Sequence, residues 1–94
     1  MKTWYESGQL ESEKDMVDNK KHGKTVAYYP DGSVMLVEEY DMGRLLKGSY
    51  FKLGSQDPVS KVNKGTGLVT LFDETGRLSK KVRYEKGRIV HDKE

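Results

Sequence analysis

The residues of this chain whose types invite chemistry are two histidines, a scatter of carboxylates and one glycine–lysine–threonine step. A histidine metal site or acid–base pair needs a second ligand at a fixed short spacing. Neither His22 nor His91 has a second histidine three or four residues away, and His22 falls where the chain turns. Glu11, Glu13, Asp15, Glu38, Glu39, Asp73 and Glu74 supply carboxylates. Paired acid–base work needs two of them on one face, and neighbours such as Glu38 and Glu39 on a strand point to opposite faces. Gly43 to Gly48 has the spacing of a phosphate loop, but Ser49 follows where Lys-Ser/Thr is required. Gly23-Lys24-Thr25 lacks the glycine five residues earlier. There is no cysteine, which removes disulfides, thiolate metal sites and a thiol nucleophile. The expectation is a protein that is not an enzyme and uses no cofactor or metal.

What organises the chain is punctuation. Gly32, Gly43, Gly54, Gly65, Gly76 and Gly87 each follow the last by 11 residues. Such a run arises by chance on the order of once in 10^5, so the spacing is a repeat. Gly8 and Asn19 continue it after a slip of two residues within 19–23, where a longer turn is expected. Asn is the next best residue where φ is positive. An aromatic stands four residues before Gly8, Gly32, Gly54 and Gly76 (Trp4, Tyr28, Tyr50, Phe72), so two kinds of turn alternate and the unit is 22 residues.

Turn signals at this spacing predict antiparallel strands. The predicted fold is all-β: one domain over 1–94, a twisted antiparallel meander of eight or nine short strands. Its units run over about 3–22, 23–44, 45–66 and 67–87, with a partial fifth over 88–94. Gly8, Gly32, Gly43, Gly54, Gly65, Gly76 and Gly87 are the expected turn residues. Alternation places Val34, Leu36 and Tyr40 with Leu78, Val82 and Tyr84 on one buried face. Val26, Tyr28, Leu46, Tyr50, Leu68, Phe72 and Trp4 are assigned to the same face. Pro58 interrupts the third unit, pointing to a bulge, an edge or a loop.

The segment Asn19-Lys-Lys-His22-Gly23 through Tyr28-Tyr29-Pro30-Asp31-Gly32 resembles a MORN repeat. The pattern Trp4-Tyr5-Glu6-Ser7-Gly8-Gln9-Leu10 is closer to bacterial MORN-variant proteins, some described as YwqK-type antitoxins or immunity proteins against secreted toxins. The resemblance spans Trp4 to Val90. It implies an elongated antiparallel meander, and uses as a protein scaffold, in anionic-lipid association or in toxin neutralisation. It implies no catalytic residue.

Binding is therefore the expected role, with two sets of candidate residues. The turns opposite the aromatic ones collect Lys20, Lys21, Arg44, Lys64, Lys86 and Arg88, against Asp18 and Asp41; the aromatic turns collect Glu6, Asp31, Asp73 and Glu74, against Lys52. The sheet is thus expected to carry a basic and an acidic margin. Tyr5, Tyr29 and Phe51, with Leu45, Val37 and Leu71, fall on the second sheet face, which is either an interaction surface or buried by association. A protein partner such as a toxin, anionic lipid, or a second copy through a strand edge or that face are all consistent with this. A net charge of +2 gives no reason to expect nucleic acid. No apolar leader precedes the patterned region, so cytoplasmic residence is the default expectation, a trimmed signal peptide being the alternative.

Overall fold

The computed structural model describes residues 1–90. Of the partial fifth unit, residues 88–90 are described and His91 to Glu94 lie outside the described residues. Nine strands follow one another: β1 (Lys2–Trp4), β2 (Leu10–Val17), β3 (Lys20–Tyr28), β4 (Val34–Asp41), β5 (Arg44–Tyr50), β6 (Ser60–Asn63), β7 (Thr66–Phe72), β8 (Leu78–Glu85) and β9 (Arg88–Ile89). They form a single antiparallel sheet in sequence order, so the all-β meander expected from the glycine period is the fold. Pro58 lies in an irregular connection between β5 and β6 that shortens β6 to four residues.

The meander is curled rather than extended. A single sheet of Cα atoms is only a few ångströms thick, yet the molecule measures 38 × 32 × 24 Å. One end of the curl is drawn together by its turns. Asp18-Asn19, Met42-Gly43, Lys64-Gly65 and Lys86-Gly87 all have positive φ at both central positions, the two-residue hairpin geometry that matches strand twist. Three of these hairpins bond to each other: Gly65 N–H donates to the Leu46 carbonyl (2.8 Å), Gly87 N–H to Gly65 (2.9 Å) and Leu45 N–H to Gly87 (3.3 Å). Contact there is close enough that a Cβ on Gly65 would stand 2.5 Å from the Gly87 nitrogen.

The two-residue slip is not a longer turn. The turn at Asp18-Asn19 is as tight as the others, and β3 absorbs the extra residues as a bulge: Lys14 pairs with Thr25, but Met16 pairs with Lys21. Asp15 alone faces the bulged stretch, and its Oδ2 accepts the Lys24 N–H at 3.4 Å.

Single-residue bulges decide what is buried. Glu11, Met35, Leu46 and Ser79 each drop out of the pairing, each three residues after a turn glycine or its equivalent position. One extra residue reverses the facing of the strand beyond it. Leu45, not Leu46, therefore points inward: Leu45 is fully buried and Leu46 is 43% exposed. Leu78 and Trp4 are likewise exposed, against expectation. The core is Leu36, Leu45, Tyr50, Val62 and Val69, flanked by Ala27, Tyr40, Leu71, Val82 and Tyr84. Val26 and Leu68 pair with Val37 and Arg83 in the other phase and lie on the convex side, partly buried, while Phe72, paired with Leu78, borders both the trough and the convex side.

Candidate functional site

The concave side of the curl forms an open trough of about 740 Å³. Strands β2, β3 and β4 make one wall, β7 and β8 the other. Ala27, Leu36, Val69 and Leu71 line its apolar part; Glu11, Asp73 and Glu74 stand along its rim, and Lys14 and Lys21 also line it. The field of these acids reaches across the curl. Burial, then Glu11 and Glu74, raises the Tyr5 phenol above its ordinary value. Burial, then Asp73, does the same for Tyr29. Tyr5, Asp73 and Glu74 line one trough, so the last aromatic-type turn comes round to face the first.

At two of the aromatic-type turns, those of Gly32 and Gly76, the acids also build the local geometry. Asp31 Oδ1 accepts the N–H and hydroxyl of Ser33 (2.8 and 2.6 Å), and Asp73 Oδ1 accepts those of Thr75 (2.9 and 2.5 Å). These bonds, the hydroxyl ones foremost, hold both carboxyls below the usual carboxylate range.

Inside the trough the central polar residue is Glu38, only 6% exposed. Its cross-strand neighbours are Thr25 on β3 and Gly48 on β5. Tyr50 folds back over Gly48 and donates to Glu38 Oε2 at 2.6 Å; Tyr40 donates to Oε1 at 3.1 Å. Burial first, and Glu38 second, pushes the phenols of Tyr40, Tyr50 and Tyr84 upward. Thr25, 3% exposed, has a hydroxyl oxygen with no hydrogen-bond partner among the described residues. Sequence reasoning passed over this cluster because Glu38 looks like any strand carboxylate. The signal that could have found it is Gly48 in mid-strand with tyrosines on either side of the pairing.

The expected binding residues are split by the fold. Arg44, Lys64, Lys86 and Arg88 flank the three mutually bonded turns and are exposed. Lys20 and Lys21 lie next to them, since Gly43 N–H donates to the Lys21 carbonyl at 2.8 Å. Among the described residues the ion pairs are Lys2–Glu13, His22–Asp41 and Arg83–Glu85, so none of these six cations is paired. Lys21 instead places its Nζ 4.8 Å from the centroid of the Tyr40 ring. His22 accepts the Met42 N–H at Nδ1 (3.1 Å), so that nitrogen has no proton to share with Asp41 at 3.5 Å, and the contact is not a hydrogen-bonded ion pair.

The aromatic set lies elsewhere. Tyr29 is fully buried, with its hydroxyl on the Phe51 carbonyl at 2.6 Å; Tyr5, half-buried, makes the same bond to Tyr28. Each links one unit to the next. Phe51 is half-buried. Gly8, Gly32, Gly43, Gly54, Gly65, Gly76 and Gly87 take φ between 78° and 92°.

Among the described residues, no group of three His, Cys, Asp or Glu is placed to hold a metal. Neither a curated relative nor a solved structure matches the chain significantly. The family model of the MORN repeat variant matches residues 1–18 and 21–42, supporting a MORN-type repeat in the first two hairpin units.

Proposed function

We propose that the chain is a non-enzymatic binding module whose basic end engages an acidic protein surface. The observation that carries this is the convergence of three hairpin turns, which gathers Arg44, Lys64, Lys86 and Arg88 with no ion-pair partner among the described residues. A few such cations near an anionic surface contribute about 1 kcal/mol each, enough for recognition only when packed contacts are added. MORN-type repeats in the first half of the chain fit a binding role; the finer reading proposed here, a toxin neutralised by occlusion, rests only on the likeness of Trp4 to Leu10 to bacterial variant proteins.

The experiment is affinity capture from the source cell at low and high salt, followed by reconstitution of the purified complex. The expected result is one stoichiometric acidic partner, lost when Arg44, Lys64, Lys86 and Arg88 are all changed to Gln. The same end also fits anionic headgroups. Salt-sensitive vesicle association, weakened by Lys20→Gln, Lys21→Gln, Arg44→Gln and Arg88→Gln and without a protein partner, would replace the first reading with that one. A complex indifferent to both salt and the substitutions would remove the basic end from the account.

A further inference from the structure

The trough encloses a carboxyl group, that of Glu38, which is 6% exposed and makes no ion pair among the described residues. Its oxygens accept one phenol each, from Tyr40 and Tyr50, where a carboxylate has about four acceptor positions. Beside it Thr25 has an unused hydroxyl, and Tyr84 adds a third phenol to the same trough. A carboxylate removed from water is costly unless a cation faces it.

We infer that this trough receives an alkylammonium group, held at the Glu38 carboxylate against the phenol rings of Tyr40 and Tyr84. Four observations select that chemistry. The Tyr40 ring carries an ammonium, the Lys21 Nζ at 4.8 Å, so phenol rings of this trough take the group, and an incoming ammonium displaces Lys21 there or packs on Tyr84. Glu38 offers free acceptor positions singly, because each oxygen already holds a phenol. That arrangement suits a compact ammonium better than the two-point fork of a guanidinium. A single carboxylate with no second ligand is a poor divalent-metal site. The rim acids Glu11, Asp73 and Glu74 outnumber Lys14 and Lys21, so the trough as a whole attracts cations. Apart from Lys21, no residue of the basic end takes part in this site, and its ligand need not be the partner bound by that end.

A lysine side chain of a partner and a free polyamine present the same group. The test titrates the whole chain with Nα-acetyl-lysine methylamide, with its norleucine analogue and with spermidine, followed by amide chemical shifts and calorimetry. Saturable shifts centred on Glu38, Tyr40 and Tyr84 are expected with the ammonium probes and not with norleucine. Glu38→Gln keeps the side-chain size and should weaken binding at least about tenfold. Lysine binding as well as spermidine assigns the site to a partner's side chain; much tighter spermidine binding assigns it to a polyamine. If Glu38→Gln fails to fold, Tyr84→Leu leaves the carboxylate in place and should weaken binding several-fold. No saturable binding by either ammonium probe, equal binding by norleucine, or undiminished binding by a folded variant overturns the inference.

Discussion

The phenol of Tyr50 reaches Glu38 by lying across Gly48: the hydroxyl donates at 2.6 Å, and a Cβ at residue 48 would stand 2.7 Å from the ring carbon Cζ. Glycine is required there by the ring above it and not by backbone conformation, since its φ is ordinary. Gly48→Ala should therefore destabilise the fold by roughly 1–3 kcal/mol through overpacking, read by urea unfolding. In a Tyr50→Leu background the same substitution should cost much less. Equal costs in both backgrounds would show that the ring is not what excludes a side chain.

Glu38 is the acceptor for two enclosed phenols, and removing it strands both. Glu38→Leu should cost about 1–3 kcal/mol for each hydroxyl left unpaired. Glu38→Gln retains an acceptor oxygen for one of them and should cost less. Indistinguishable melting temperatures for the two variants would contradict the hydrogen-bond assignment.

Alkaline pH should destabilise the molecule. Burial and the Glu38 carboxylate raise the phenols of Tyr40 and Tyr50 above the ordinary 10.0. Above that value the unfolded chain releases these protons while the folded chain keeps them. The unfolded state then binds fewer protons, and stability falls as pH rises, by about 1.4 kcal/mol per pH unit for each such tyrosine. The stabilisation is complete below pH 10 and is lost towards the folded-state values. Denaturant midpoints across that range, with phenolate absorbance measured alongside, give the check; full phenolate absorbance in the still-folded protein would refute it.

Two turn glycines should separate backbone strain from packing. Gly54 has positive φ and open space where a Cβ would stand, with nothing within 4 Å, whereas Gly65 has positive φ and the Gly87 backbone against it. Gly54→Ala should cost about 1 kcal/mol from strain alone. Gly65→Ala should cost more, because the three bonded turns must part. If the two cost the same by thermal unfolding, the turns do not bear on one another.

Removing the inter-unit bond of Tyr29 should be a smaller loss. Tyr29→Phe keeps the buried ring and deletes the hydroxyl bonded to the Phe51 carbonyl, leaving that acceptor unpaired at a cost of about 1 kcal/mol. Hydrogen exchange should quicken around residues 51–53 first. No change in stability or exchange there would mean that water holds the carbonyl equally well.

The all-β meander was legible in the sequence because its signals are local: a glycine or asparagine every 11 residues sets where the chain reverses, and apolar residues between them set strand length. Nothing local says which strand carries an unpaired residue. The bulges at Met35, Leu46 and Ser79 arise from pairing with the neighbouring strand. Each reverses the facing beyond it, which is why Leu45 is buried and Leu46 exposed. The charged margins follow from turn residues that can be read off the chain, but the gathering of the basic turns at Gly43, Gly65 and Gly87 depends on the curl of the whole sheet. The Glu38 cluster is the furthest from the sequence. It needs β4 beside β5 in one register, a glycine under the Tyr50 ring and a trough closed from across the molecule by β7 and β8. Those are long-range conditions that only the tertiary structure decides.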